Sequence, residues 1–254
     1  MIAIQYLGGK SRISKQISEV IIDEISRRKE PNSSLDCVSN RERESNGCLI
    51  SLFCGSRAVE SELAPHFKSV ICNDNHKYLV ALWQALQDGY ELPEVISEEI
   101  YKSIRDNKDD NPALTGFVGF GCSFGGKFFG GYARNKMGTN YAAQSKRSIL
   151  KDFANLQDAV FTCNDYKDVV IPAGSVVYAD PPYGNTTGYT SGKFNTEEFW
   201  EYMRKISKDN MVLISELNAP DDFKCIWERP FTRTLDRNKN NQFKVVEKLF
   251  IHNE

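Results

Sequence analysis

Asp180-Pro181-Pro182-Tyr183 stands directly behind the apolar run Ser175-Val176-Val177-Tyr178-Ala179, so one carboxylate, two prolines and an aromatic ring arrive together at a strand end. By average residue usage, such a tetrapeptide arises by accident in about one chain of this length per thousand. Its chemistry suits an exocyclic amine conjugated to a ring, such as that of adenine, whose nitrogen lone pair is delocalised and barely nucleophilic. A site that methylates such a nitrogen must hold both N–H bonds with acceptors, so that the lone pair turns out of the ring plane towards an electrophile. Asp180 supplies one acceptor. The second is the carbonyl of Pro181, kept aimed because Pro182 fixes φ and donates no hydrogen bond; Tyr183 stacks on the ring. Acceptors of this kind act through tighter grip as positive charge develops on the nitrogen, and Asp180 need not be a strong base. By composition alone, the same four residues also make an acceptable turn after a strand.

The elements that must position this loop alternate between short apolar strands and helices. Ile13, Ile17, Val20, Ile21 and Ile25 have helical spacing behind a possible Ser11 cap. A polar connection over 30–47 leads into a buried-type strand, Cys48 to Phe53. Ala58 to Ala64 reads as a short helix ended by Pro65, and Ser69 to Cys72 as a second strand delivering Asn73-Asp74-Asn75. Further helices are expected around Leu79 to Leu86, Ser97 to Asp106, Ile149 to Leu156 and Thr196 to Ser207. Further strands are expected at Ala159 to Cys163, Ser175 to Ala179 and Met211 to Ser215, with a closing antiparallel pair near Phe223 to Trp227 and Phe243 to Ile251. The glycine- and phenylalanine-rich stretch Phe117 to Arg134 reads as the least core-like part. The pattern predicts a doubly wound α/β sheet with helices on both faces. It divides into a core over 1–88, an inserted region over 89–154 and a second part of the core over 155–254.

In such sheets ligands bind outside the carboxyl ends of the strands. Three loops qualify: Phe53-Cys54-Gly55-Ser56, the Asp74 turn, and the loop carrying Asp180. Asp74 lies about 20 residues beyond Phe53, the separation at which a carboxylate grips ribose hydroxyls in nucleoside-binding folds. A phosphate-cradling glycine loop is absent, since Gly8-Gly9-Lys10-Ser11 lacks the first glycine of that motif. A nucleoside without a pyrophosphate is indicated. S-adenosylmethionine fits because its sulfonium methyl is the electrophile that the amine requires, and no cysteine sits in the active loop to form a covalent intermediate.

The net charge of −2 over 254 residues conceals a local asymmetry. Asp88 to Asp110 holds eight acids and three bases, whereas Asn111 to Lys151 holds no acid and six bases: Lys127, Arg134, Lys136, Lys146, Arg147 and Lys151. That block reads as a surface for an anionic ligand, or more blandly as a solvated face. The seven cysteines are scattered without C-x-x-C pairs and the three histidines share no ligand spacing, so no metal is expected. No apolar run approaches the roughly 20 residues needed to cross a bilayer. With no secretion signal at Met1-Ile2-Ala3-Ile4, a cytoplasmic protein is expected, a monomer by default.

These motifs together resemble the Dam-like DNA adenine-N6 methyltransferases, especially the compact phage and prophage versions. Tyr6-Leu7-Gly8-Gly9-Lys10 is similar to that family's Y-x-G-G-K element, in which the aromatic and the lysine approach the cofactor's methionine end. Leu52-Phe53-Cys54-Gly55, continued by Ser56, resembles its F-x-G-x-G loop, and Asn73-Asp74-Asn75 its acidic ribose element. Cys163-Asn164-Asp165-Tyr166 resembles C-G-D-[FY], whose acid and aromatic lie against the cofactor adenine. Asp180 to Tyr183 matches D-P-P-Y in full. The resemblance implies a Rossmann-like S-adenosylmethionine-dependent methyltransferase acting on double-stranded DNA, with the region 89–154 for target recognition.

Within that region Lys127, Arg134 and Lys136 would meet phosphates, and Phe128, Phe129 or Tyr132 would stack on or wedge at bases, while glycines admit DNA closely. Alternatively, the aromatics form a small core beneath the insertion. The chain departs from the pattern at Arg57, where the second glycine belongs; a side chain there is expected to crowd the cofactor or to pair past it. One alternative shares this chemistry, methylation of RNA or of a protein amide, in families that more often carry Asn in place of Asp180; another is non-catalytic, a DNA-binding relic impaired at Arg57.

Overall fold

The computed structural model describes residues 10–29, 46–182, 194–234 and 242–253. Tyr6, Gly8, Gly9 and Tyr183 lie outside the described residues. The strands are β1 (Asn46–Ser51), β2 (Phe67–Asn73), β3 (Val160–Thr162), β4 (Val176–Ala179), β5 (Met211–Glu216), β6 (Phe223–Thr234) and β7 (Gln242–His252). They form one sheet in the order β3-β2-β1-β4-β5-β7-β6. The first five of that order run parallel, and β7 is antiparallel to both β5 and β6. Strand order reverses between β1 and β4, which places the ends of these two strands beside each other at the switch point where such sheets bind ligands.

Alternation along each strand divides the core. Leu49, Cys72, Tyr178, Leu213 and Leu249 face a layer that includes α1 (Ser14–Lys29), α2 (Ala58–Leu63) and α3 (Lys77–Gln87). Ile50, Val177, Ala179, Val212, Ile214 and Phe250 face α7 (Thr196–Ser207). With both faces covered, the central strands must be apolar throughout, and β4 is buried at every position. The doubly wound prediction therefore holds, and the helix over Thr196 to Ser207 begins and ends where its spacing places it, capped by Asn195.

One expectation is corrected. The glycine- and phenylalanine-rich stretch is not peripheral: Pro112–Gly121 forms a helix, α5, capped by Asn111, with Phe117 and Val118 wholly buried. It packs on α3 and lies between α4 (Glu98–Asp106) and α6 (Tyr141–Phe153) in the same core cluster. Its glycines serve contact between elements. A Cβ at Gly116 would run into the Tyr78 carbonyl of α3, and one at Gly119 into the Phe128 ring. Low intrinsic helix propensity made this segment read as irregular, and tertiary packing overrides it.

Candidate active site

Three loops meet at the carboxyl rim of β1, β2 and β4. After β1 the chain turns at Gly55, whose φ of +42° is a left-handed conformation natural to glycine. The Gly55 N–H donates to Asp74 Oδ2 and the His76 N–H to Asp74 Oδ1, each at 2.9 Å. Asp74 is 6% exposed, and burial raises its pKa against the opposing pull of those two backbone donors. Its carboxylate thus ties the glycine turn to the start of α3, while Asn75 is exposed at the surface.

Asn73, a residue the motif reading left without a role of its own, fastens the ends of β1 and β3 to that of β2. Its amide donates to the carbonyls of Leu52 and Asn164, at 3.1 and 3.0 Å, and its Oδ1 accepts from Thr162 Oγ1 and the Asn164 N–H. The signal available in sequence was a polar residue at the end of an apolar strand; its four hydrogen bonds reach three residues at two other strand ends. Phe53 lies 5.2 Å from Tyr166 between ring centroids, with Phe194 and Phe199 adjoining. Tyr166 is buried, and that burial pushes its hydroxyl up to about 12. Asp165 is exposed and accepts from the Lys167 N–H, closing a one-turn helix. Cys54 is buried against Cys72, whose hydrogen bond, together with burial, lifts the thiol well above its ordinary range, so it is not a nucleophile. Ser56 is half-buried and its carbonyl accepts from the Arg57 guanidinium.

Asp180 follows β4 and is 21% exposed, with Pro181 buried behind it and Pro182 half-buried. Lys10 Nζ lies 2.9 Å from Asp180 Oδ1 and 2.9 Å from Glu247 Oε1 of β7. Lys10 is 5% exposed. Burial alone would lower its pKa, but the two carboxylates outweigh that and hold the ammonium above its ordinary value. The motif reading sent Lys10 towards a cofactor; the structure joins it to the Asp180 carboxylate. Ser51 donates to Glu60 at 2.6 Å, and Tyr178 shares a hydrogen bond of 2.9 Å with Ser215, completing a buried polar floor beneath the rim.

Burial pushes Glu60 and Glu216 up to about 7. A carboxyl whose folded pKa is raised contributes stability that is complete below the ordinary carboxylate value and lost as pH climbs through about 7. Glu60→Gln is therefore expected to melt higher than the parent above neutral pH, by the equivalent of about 3 kcal/mol at most, with the advantage fading towards about pH 4. Thermal melts across that range check this, and parallel curves would refute it.

Arg57 is corrected in one respect. It occupies the left-handed region, φ +55°, at the position where the resemblance calls for glycine. Its side chain is 1% exposed and lies over the Trp83 ring of α3, so it leaves the rim for the helix layer instead of crowding it. Burial lowers its pKa to about 10, still a cation at neutral pH. Its Nε and Nη1 have no hydrogen-bond partner among the described residues.

Of the residues expected at nucleic acid, Lys127 and Lys136 are exposed, while Arg134 pairs with Glu98 at 2.9 Å. Lys146 of the basic block pairs with Glu94 at 2.7 Å. Phe128 packs among His76, Tyr78, Phe120 and Phe129. Tyr132 packs on Tyr101 and donates its hydroxyl to the Ile96 carbonyl at 2.7 Å. The small aromatic core, not a set of exposed stacking rings, describes these side chains. Burial holds His76, in the middle of that cluster, down to about 4.

The donor set suits a cationic nucleoside. The rim presents Asp74 beside a glycine turn, the Phe53 and Tyr166 rings, and the carboxylates of Asp180 and Glu216, with no basic cradle for phosphates among the described residues. Among the described residues no group of three or more His, Cys, Asp or Glu is arranged to hold a metal, and no helix is long and apolar enough to cross a membrane.

Residues 6–117 match the sequence model of the family described as D12 class N6 adenine-specific DNA methyltransferase. No curated protein matches the chain. Among solved structures, similarity extends to an S-adenosylmethionine-dependent methyltransferase from Clostridium acetobutylicum at 10% identity, covering 95% of this chain and 75% of the other with a TM-score of 0.36. A tRNA (m1A58) methyltransferase from Aquifex aeolicus is similar at 11% identity, covering 83% and 64% with a TM-score of 0.33. Precorrin 8w decarboxylase from Methanobacterium thermoautotrophicum is similar at 11%, covering 83% and 82% with a TM-score of 0.36. The fold is defined by the strand order itself. The chain is an S-adenosylmethionine-dependent methyltransferase, and its residues 6–117 are similar to the D12 class N6 adenine-specific DNA methyltransferase family.

Proposed function

We propose that the protein transfers a methyl group to the N6 amine of an adenine turned out of double-stranded DNA. The observation that carries this reading is the placement of Asp180: a carboxylate at the sheet's switch point, held by Lys10 at 2.9 Å and 21% exposed. S-adenosylmethionine supplies an electrophilic sulfonium methyl when bound. The chain's own contribution is orientation. Asp180 and the Pro181 carbonyl accept the two N–H bonds of the amine and turn its lone pair out of conjugation, Tyr183 stacks on the base, and water is kept from the rim by Phe53, Phe194 and Tyr166. Acceptors already fixed in place stabilise the charge that develops on nitrogen without reorganising during transfer. Asp74 and Asn75 are assigned to ribose hydroxyls, and Phe53 through Ser56 with Asp165 and Tyr166 to the adenosine end.

A base inside a duplex is out of reach of such a rim, so the target must be flipped. The region 89–154 is the element assigned to hold the DNA meanwhile. Lys127 and Lys136 meet phosphates, Arg134 exchanges Glu98 for a phosphate, and Phe128 and Tyr132 brace the segment from within. DNA is favoured over RNA or a protein amide by the family match and by the carboxylate at position 180. Incubation of the protein with methyl-labelled S-adenosylmethionine and equal amounts of duplex DNA, RNA and protein is expected to label DNA, with the label recovered as N6-methyladenine after digestion. Label confined to RNA or protein would overturn the assignment.

A further inference from the structure

Resting on that reading and going beyond it, we propose that Arg57 is a positioning residue for the cofactor: its guanidinium holds the Ser56 carbonyl in the turn after β1, and so keeps Ser56 fixed as a donor to the nucleoside. The position carries two costs. Arg57 has φ +55°, a left-handed conformation disfavoured for a residue that bears a side chain, and that side chain is a cation only 1% exposed. Such a conformation persists where the surroundings over-determine it.

The surroundings do so from three elements. Arg57 Nη2 donates to the Ser56 carbonyl at 2.7 Å, and the guanidinium carbon lies 2.7 Å from the centre of the Trp83 ring of α3, itself wholly buried. The Arg57 N–H donates to the Cys54 carbonyl at 2.7 Å, and its own carbonyl accepts from the Ser61 N–H at 2.9 Å, in the first turn of α2. The Ser56–Arg57 peptide is therefore gripped at both ends, its oxygen by the guanidinium and its N–H by Cys54. Glu60 and Asp152 face the cation from α2 and α6, yet Nε and Nη1 have no hydrogen-bond partner among the described residues. The guanidinium's hydrogen bond goes to the turn.

What this grip leaves over points to a ligand. The Cys54 N–H is taken by the Asn73 carbonyl at 2.8 Å and the Gly55 N–H by Asp74 at 2.9 Å. Of the four amides from Cys54 to Arg57, that of Ser56 is the one with no hydrogen bond among the described residues, and the Ser56 hydroxyl has none either. Ser56 is half-buried at the rim, with two donors suited to the hydroxyl and ring-nitrogen acceptors of a nucleoside. A glycine at position 57 would take the same φ without strain and grip nothing.

The test measures S-adenosylmethionine affinity by calorimetry, and kcat on duplex DNA at saturating cofactor, for Arg57→Gly, Arg57→Ala and Arg57→Lys beside the parent. Glycine adopts a left-handed φ freely, so its loss reports the guanidinium and not the backbone. Both truncations are expected to weaken cofactor binding about tenfold, with kcat within about threefold of the parent. Lysine keeps a cation over the Trp83 face without the planar fork, and its affinity is expected to lie between. A glycine variant that binds cofactor as tightly as the parent, or more tightly, would overturn the proposal, and so would a lower melting temperature at parental affinity, the mark of an arginine that only packs. Should both truncations fail to fold, Arg57→Lys decides alone: several-fold weaker binding at parental kcat is the supporting result, and parental affinity the contrary one. A parent that binds no S-adenosylmethionine counts against the cofactor site itself; a binding parent with indifferent variants counts against Arg57 alone.

Discussion

Replacing Asp180 with alanine is expected to lower methyl transfer by about 10³-fold or more while the protein stays folded. The size reflects what the carboxylate is asked to do. In the proposed reaction it holds one of two N–H bonds of an amine that is nearly inert while its lone pair is conjugated, and its grip strengthens as the nitrogen becomes cationic, so its loss falls on kcat and spares ground-state binding. Folding survives because Asp180 is the most exposed member of its triad and Lys10 retains Glu247 as a partner, 2.9 Å away. Single-turnover labelling of duplex DNA, with cofactor affinity and melting temperature measured in parallel, checks the result. A variant within about tenfold of parental turnover would show that the loop is only a turn after a strand.

Lys10→Met is expected to be the most destabilising single change at the site. It takes the Lys10 ammonium away from the buried Glu247 carboxylate, at a cost of about 3 to 5 kcal/mol, equivalent to a melting temperature lower by roughly 10 °C for a chain of this size. The double variant Lys10→Met with Glu247→Gln should recover a substantial part of that loss, because removal of both charges leaves nothing ionic stranded in the core. Thermal melts of the two variants against the parent decide the matter: a single variant as stable as the parent, or a double variant no better than the single, would show that the buried triad is not the tie between the segment preceding α1 and the sheet. Methyl transfer by the single variant should fall too, since the anchor behind Asp180 is gone.

Much of this molecule could be read from local pattern. The run ending at Ala179 and continuing into Asp180-Pro181-Pro182 announced a strand and a chemical loop, because burial of both faces makes a central strand apolar and the fixed φ of proline narrows the conformations open to the turn. The helix Thr196–Ser207 was equally plain, with Asn195 capping it and apolar residues on one face. The strand ends at Phe53 and Asp74 were found for the same reason, and the tie between Gly55 and Asp74 joins two loops that spacing had already placed together.

Three matters were decided only by the tertiary structure. Phe117 to Gly121 and its neighbours looked irregular because glycine is a poor helix former; close approach to Tyr78 and Phe128 makes glycine the residue that fits and puts α5 in the core. Arg57 looked like an obstruction in the cofactor loop, and its fate hung on whether an aromatic face lay within reach, which Trp83 supplies from another helix. The partners of Lys10 could not be found by spacing at all, since Asp180 follows β4 and Glu247 lies in β7, strands that sheet order sets on either side of β5. Periodicity tells which face of an element is buried, because solvent sorts residues one element at a time. What that face meets, and which buried charges are thereby paired, is set by long-range packing, and at this rim that packing makes a carboxylate after a strand into a held acceptor.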